Sequence, residues 1–489
     1  MAWRTTERAK FCGFRQGDGM NRQRSGQANA LSVIALCVLL AGCASWFKKP
    51  AVVKPTARTP EAFGAVQSLA AAGDAVDRAW WTLFQDPVLN GLQAQLESGN
   101  LNLQLLSAKV RQAQASVAAA QASLWPSVSV SAGAARSVSS AGGAASNSAN
   151  LSLPLTWELD VWGRIDLQTQ AAQANALASQ EDLALARLSA QATLVQTYIA
   201  LRTAERQFAV VEKAQAAYER ALTLTRYRYE AGVVSAADVA QAESQWQSTV
   251  AQRIDVETTR QQLTHSLAVL LGQAPSALQL AASQALPALP ALPTLLPASL
   301  LQRRPDVRAA EMRVMAAQAQ LGVAQTAFFP TFSFAASTGY KSTELASLFN
   351  ASSRLWSLGP SLALSLFDGG QRQAAKDDAR AALEVALLNY QQTVLTILQE
   401  VEDNLVATHQ LQAQEAAQAQ ALQAAERNLR ITEAQYAAGT VSYLNVVTAQ
   451  ASALAAQRNL LDVQSRRALA VTQLLKNLAG RWDADTAAK

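Results

Sequence analysis

Side chains suited to metal binding and redox chemistry are scarce in this chain. Its 489 residues include two histidines and three cysteines, with no repeated Cys spacing, which speaks against a zinc site. Glycine (22) and proline (14) are too few for a collagen-like or disordered polymer. Aromatic residues make up 6% and charged residues 16%, while half of the chain is apolar. An excess of one charge sign is also missing once the N-terminus is set aside. The formal net charge is +5, but residues 1–42 carry six basic side chains (Arg4, Arg8, Lys10, Arg15, Arg22, Arg24) and two acidic ones (Glu7, Asp18), net +4, which leaves +1 for the rest. A polyanion- or nucleic-acid-binding patch is therefore not supported. As a prior, the length corresponds to about three ordinary domains.

What is present begins with an address. Arg22 and Arg24 precede a short apolar run, Ala30 to Leu40, too short to span a membrane comfortably and matching a signal peptide. The run ends in Leu40-Ala41-Gly42-Cys43, which resembles a bacterial lipobox. In proteins carrying that signal the cysteine is acylated and becomes the first mature residue; the alternative is an ordinary signal peptide that happens to contain a cysteine. Cys12 and Cys37 lie upstream, so the mature chain keeps Cys43 alone and forms no disulfide, although the periplasm is oxidising. By resemblance to other lipoproteins, Ala44 and Ser45, with no Asp, direct it to the outer membrane. Residues 1–19 fit no part of the signal, which points to Met20 as the true start of a signal peptide ending at residue 42.

The body is one unit used twice. Trp125-Pro126 returns as Phe329-Pro330, Trp162-Gly163-Arg164 near Phe367-Asp368-Gly369-Gly370, and Tyr229-Glu230-Ala231-Gly232 as Tyr436-Ala437-Ala438-Gly439. Leu270-Leu271-Gly272 returns near Leu478-Ala479-Gly480. After a lipidated segment, 43–85, the repeats span 86–272 and 299–480, joined by a Pro-rich connector, 273–298, and followed by a tail, 481–489. Each repeat has the same order: a helix of about 24 residues (101–124, then 305–328), two strands (about 126–137 and 150–161; about 330–341 and 355–367), a very long helix (164–229; 370–437), a Gly-containing turn and another helix (236–272; 443–480). Pro305 and Asp306 suit the first turn of a helix.

The strands alternate. Leu151, Leu153, Leu155, Trp157, Leu159 and Val161 oppose Ser152, Thr156, Glu158 and Asp160, and Trp356, Leu358, Leu362, Leu364 and Leu366 oppose Ser357, Gly359, Ser361, Ala363 and Ser365. One reading is an antiparallel sheet with one face on a core and one in water. The other puts the apolar face on lipid and the polar face on an aqueous lumen; strands of about ten residues fit a transmembrane barrel. Trp125, Trp162, Phe329 and Phe367 fall at the helix-side strand ends, where an interfacial aromatic girdle would lie.

The long helices do not fit in a globule: 66 residues extend about 100 Å. Heptad spacing agrees with a coiled coil, in Leu194, Leu201, Phe208 and in Val447, Leu454, Leu461, Ala468, Leu475. Four strands per chain cannot close, and an open edge in lipid leaves backbone groups unpaired at several kcal/mol each. Two chains give eight strands and a filled lumen, three give twelve and a passage. The small inward residues (Ser, Thr, Gly, Ala) favour three.

This order resembles the TolC-like outer-membrane efflux proteins, in particular their lipoprotein branch. The resemblance covers about residues 80 to 480 and is most specific in Leu301-Gln302-Arg303-Arg304-Pro305-Asp306-Val307-Arg308-Ala309-Ala310-Glu311, in Phe367-Asp368-Gly369-Gly370 and in Tyr436-x-x-Gly439. It implies an α+β membrane protein of the Gram-negative outer membrane. Long antiparallel coiled-coil helices form a periplasmic α-barrel, and four transmembrane strands per chain complete a 12-stranded β-barrel in a homotrimer. It further implies a passive, non-enzymatic exit duct in a tripartite pump, with a periplasmic adaptor and an inner-membrane transporter as partners, and no cofactor beyond the lipid on Cys43. Duct function in type I protein secretion is the alternative within the family. Gly232 and Gly439 read most simply as helix C-caps; the resemblance makes them the periplasmic tip, where the pore closes and the adaptor docks. Tip and gate candidates are Tyr229, Gly232, Asp238, Tyr436, Gly439, Val441, Tyr443, Asn445 and Thr448. The family's acidic ring falls on Asn445 and Thr448 here, which leaves Asp238 as the remaining charge. Outside the family, a structural coiled-coil lipoprotein has no use for the four strands. A periplasmic enzyme lacks support from His265 and His409, which sit on helices with no acid–nucleophile spacing nearby.

Overall fold

The computed structural model describes residues 79–138, 145–283, 285–290 and 304–478. The signal peptide, Cys43, nearly all of the 43–85 segment, connector residues 291–298, Leu301-Gln302-Arg303 and the 481–489 tail lie outside the described residues. Among them are helices α1 (Pro87–Gly99), α2 (Leu101–Ala122), α3 (Arg164–Glu230), α4 (Ala236–Leu270), α5 (Pro305–Thr326), α6 (Gln371–Ala437) and α7 (Tyr443–Leu478), and strands β1 (Ser127–Val128), β2 (Ser131–Ser137), β3 (Ser146–Leu159), β4 (Thr331–Ser342) and β5 (Arg354–Ala363).

Local chemistry sets most boundaries. Asp86 caps α1 by accepting from the N–H groups of Val88 (2.8 Å) and Leu89 (3.1 Å), with Pro87 next to it. This helix, inside the 86–100 segment, has no counterpart in the sequence reading. Asn100 ends α1 and starts α2: its side chain accepts from Leu103 N–H and donates to the Leu270 carbonyl at 2.7 Å. In the second repeat Arg304 stands at the matching place. It is buried, forks onto Asp306 and donates to the Asn477 carbonyl and side chain. The charged helix start of the Arg-Pro-Asp motif is thus a buried clamp between the beginning and the end of the second repeat.

The long helices α3 and α6 each contain 67 residues, about 100 Å at 1.5 Å per residue. The heptad residues are where the packing lies. Leu194, Tyr198 and Leu201 are buried with Trp80, Phe84, Leu89, Leu267, Leu271, Val471 and Leu475 in one core at mid-length. Tyr198 donates to Asp86 at 2.7 Å, and Arg202 lies over its ring. Arg202 also pairs with Glu205 at 2.7 Å. The pair takes hold of the connector through the Ala281 carbonyl (2.9 Å) and the Ser283 N–H (3.0 Å).

The strands form one antiparallel sheet in the order β1/β2, β3, β4, β5. The first strand, expected in one piece over 126–137, is divided. β1 and β2 pair with β3 in a single register, Ser127↔Thr156 and Ser131↔Ser152, and the gap faces Pro154. Ser129 donates to the Pro154 carbonyl at 3.1 Å, but Pro154 has no N–H to return, so the ladder lapses there. β3 stops at Leu159 rather than 161 because Asp160 turns to cap α3, accepting from Ile165 N–H (3.0 Å) and Asp166 N–H (2.8 Å). It also starts earlier than 150, at Ser146. β5 ends at Ala363, short of 367.

The sheet covers no core. Every residue of β2 and nearly every residue of β5 is exposed, so neither face rests on protein, and the core-and-water reading of the alternation does not hold. The apolar rows, Leu358, Leu362 and Trp356 among them, stand bare. No helix among the described residues is long and apolar enough to cross a membrane.

Candidate functional site: the helical tip and the strand–helix junction

The two long helices end alike. At the end of α3, Gly232 N–H donates to Tyr229 O (2.9 Å) and Val233 N–H to Arg228 O (2.8 Å). At the end of α6, Gly439 N–H donates to Tyr436 O (3.0 Å) and Thr440 N–H to Gln435 O (3.0 Å). Both are Schellman turns, which need a residue with positive φ; Gly232 (72°) and Gly439 (76°) supply it.

The next helices start differently. Ser235 and Asp238 form a capping box: the carboxylate accepts from Ser235 N–H (2.9 Å) and Oγ–H (2.7 Å), and Asp238 N–H donates back to Ser235 Oγ (3.3 Å). The charge assigned to the gate at Asp238 is therefore held within its own helix start. The second repeat has Asn445 at the equivalent place, exposed, its N–H on the Ser442 carbonyl. Thr448, also exposed, returns its hydroxyl to Leu444 O at 2.9 Å.

Behind this surface lies a compact joint between the two helical hairpins. Tyr443, Val446 and Val447 of α7 are buried with Leu222 of α3 and Ala242 of α4, flanked by Val239, Trp246 and Tyr436. Burial, with the nearby Tyr436 and despite a hydrogen bond to Thr225, pushes the Tyr443 hydroxyl up to about 12. Arg228 lies over the Tyr436 ring at 4.6 Å, and Tyr436 meets Tyr443 at 5.5 Å. Two buried donors in this joint, Tyr436 Oη and Trp246 Nε1, have no hydrogen-bond partner. Sequence reasoning missed Arg228, Trp246 and Leu222. Leu222 continues the seven-residue row of Leu194, Leu201 and Phe208, whereas Arg228 and Trp246 lie off that row. Tyr229 is exposed, Val441 half-buried.

Of the four aromatic residues expected at the helix-side ends of the strands, the structure brings two together. Trp162 stacks on Phe329 (centroids 4.9 Å apart, 27° between planes) and donates from Nε1 to Pro330 O. Trp125 (75% exposed) and Phe367 (92% exposed) lie next to opposite outer strands of the sheet. Beside the stacked pair, Glu158 takes Arg164 bidentately at 3.0 and 2.7 Å. His265 and His409 are exposed on α4 and α6, and no group of His, Cys, Asp and Glu among the described residues could hold a metal ion.

The family described as Outer membrane efflux protein matches residues 92–273 and 296–480. Outer membrane protein OprJ of Pseudomonas aeruginosa is 30% identical over 93% of this chain and 96% of its own length. The probable outer membrane lipoprotein SilC of Salmonella typhimurium is 27% identical over 92% of this chain and 98% of its own. Further relatives, 28–29% identical, are named for antibiotic, toluene and cation efflux. Among solved structures, the outer-membrane channel OprN superposes with a TM-score of 0.79 at 29% identity, covering 88% of this chain and 99% of that one.

Proposed function

The chain belongs to the outer membrane efflux protein family, and on that premise we propose that three copies assemble into a continuous duct. It is an outer-membrane channel of a tripartite efflux system. The observation that carries the duct reading is the sheet with two free edges and two bare faces, attached to helices of about 100 Å. A sheet without a core and with open edges is stable in lipid only when closed into a barrel. Three chains give twelve strands, and the serines, threonine and glycine on one face then line water.

A periplasmic adaptor and an inner-membrane transporter supply the energy and the selection. Relatives of similar identity are named for efflux of antibiotics, toluene and cations. That chemical range supports a duct that passes small molecules without choosing among them. Cys43 carries the lipid and anchors the mature N-terminus, a reading supported by the lipobox and by the lipoprotein name of one relative. The helical tip closes the duct by packing and neutral hydrogen bonds.

Reconstitution into planar bilayers tests the duct. Discrete conductance steps that scale with the number of inserted trimers are expected; a folded trimer that inserts and never conducts would refute it. Intact-mass measurement of the mature chain should show a tri-acylated Cys43, and an unmodified cysteine removes the anchor.

A further inference from the structure

We propose that the outer rim of the sheet carries a lipid site, in which a pocket beside Arg136 on the apolar face takes the phosphate-bearing sugar headgroup of an outer-leaflet glycolipid. This rests on the barrel reading above and adds to it a ligand, a place and named residues. Two observations of different kinds carry it.

The first is where charge stands on the apolar face. Alternate residues of one strand share a face, and so do residues paired across two strands. Leu151 pairs with Ala132 and with Tyr340, Tyr340 pairs with Arg354, and Arg136 pairs with Asn147. Arg136 and Arg354 therefore lie on the face of Leu151, Leu153 and Leu155, the one turned to lipid. Among the residues of β1–β5 they are the only charged ones on that face. Lys341 pairs with Asn150 and belongs to the lumen face. Both arginines stand at the end of the sheet away from the helices. Trp125 at the helix end and Arg136 are eleven residues apart. At about 3.3 Å per residue and a tilt of about 40° that is about 28 Å of height, close to the ~25 Å of a barrel's apolar band. Arg136 thus reaches the level of the outer headgroups, and Val128, Val130, Ala132 and Ala134 fill the interval without a charge. Neither guanidinium has a hydrogen bond or ion pair among the described residues.

The second is a pocket built beside Arg136 by the β4–β5 loop. This loop folds back over the apolar face, where Phe349 meets the ring of Tyr340 with centroids 5.6 Å apart. Serines hold its shape: Ser342 Oγ and Ser347 Oγ share a hydrogen bond of 2.7 Å, Glu344 N–H donates to Ser342 Oγ (3.2 Å), and Ser353 donates to Ser347 O (2.8 Å). Between loop and strands lies an open-sided pocket of about 560 Å³. Ala134, Arg136, Asn147 and Ala149 line it from the apolar face of β2 and β3, and Glu344 and Leu345 line it from the loop. Ala149 is buried, while Leu345 and Phe349 are 73% and 69% exposed.

The lining is divided as a glycolipid headgroup is divided. Arg136 offers the planar donors that match a phosphate. Asn147 and Glu344 suit sugar hydroxyls, the first as donor and acceptor, the second as acceptor. Ala134, Ala149 and Leu345 take the first carbons of the acyl chains, and small Ala132 continues the track toward the middle of the sheet. The single carboxylate disfavours a bare phosphate ion. Arg354, beside Tyr340, adds a second cation on the same face for a lipid with more than one phosphate.

Native mass spectrometry of the full-chain trimer, purified in mild detergent and stripped of lipid, tests the site. The probe is lipid A, a diphosphorylated and multiply acylated glucosamine disaccharide. Up to three molecules should bind per trimer. Arg136→Gln should weaken binding at least ten-fold, Arg354→Gln less, and Lys341→Gln on the lumen face not at all. Lipid A without its phosphates should bind the unmodified trimer at least ten-fold more weakly. Undiminished binding by the Arg136→Gln variant, or of the dephosphorylated probe, overturns the site. Displacement of lipid A by millimolar inorganic phosphate would make it an anion site for solutes and overturn the lipid assignment. Six-chain species formed by the stripped trimer and lost in Phe349→Ala would make the loop a contact between copies and overturn it too. Single-channel conductance of these variants should match that of the unmodified chain. An unmodified chain that forms no trimer and never conducts removes the barrel reading itself.

Discussion

Arg228, two residues before the end of α3, holds its guanidinium 4.6 Å from the ring centre of Tyr436 near the end of α6. The contact fastens the two long helices to each other just short of their glycine turns. Tyr436 then passes the contact to Tyr443, the first residue of α7. An opening of the tip has to undo this chain of rings.

Loss of the cation–π contact should therefore loosen the tip. Such a contact is worth about 0.5–2 kcal/mol, so Arg228→Ala should raise the open probability of single channels roughly 2- to 30-fold by that figure. Tyr436→Phe should act in the opposite direction. It keeps the ring and removes a buried hydroxyl that has no partner, a group costing about 1–3 kcal/mol. Equal open probabilities in the two variants would exclude this account.

The neutral surface at Asn445 and Thr448 predicts weak block by divalent cations. Thr448→Asp adds three carboxylates to a trimer within one constriction and should create micromolar block. Asp238→Ala should raise basal conductance through loss of the capping box, about 1 kcal/mol, and leave divalent sensitivity unchanged. Strong block of the unmodified channel that disappears in Asp238→Ala would show a charged gate instead.

The tip should loosen at high pH. Tyr443 titrates near 10 when unfolded and is pushed up to about 12 by burial. The folded state then binds more protons than the unfolded one between those values, so its contribution is complete below pH 10 and is lost as pH rises toward 12. Tryptophan fluorescence, with Trp246 beside the joint, should report this transition, and Tyr443→Phe should remove it.

Glu205→Ala should destabilise the mid-length core. It leaves Arg202 buried without its carboxylate and frees the Ser283 N–H, a loss of about 3–5 kcal/mol. Replacing both charges together (Arg202→Met, Glu205→Leu) should cost less than the single change. Thermal melts of the detergent-solubilised trimer would decide it.

Much of this architecture is legible in the sequence because its signals are local and repeated. Period-two alternation marks the strands, heptads the long helices, and Gly232 and Gly439 their ends. The repeat offset alone indicates that each half must find another half. Other features needed the tertiary structure, because the partners are far apart in the chain. The division of the first strand depends on Pro154, 25 residues from Ser129, whose missing N–H matters only once the strands are paired. The burial of Arg304 depends on Asn477, and the role of Asp238 depends on the capping geometry rather than on its charge. Trp162 and Phe329 resemble Trp125 and Phe367 as sequence, yet only the first two meet. Sequence by itself determines which residues can form an edge, a face or a cap. Which edges are already filled is decided by the folded chain, because hydrogen-bond pairing is exclusive and β3 and β4 use each other's, leaving β1/β2 and β5 free.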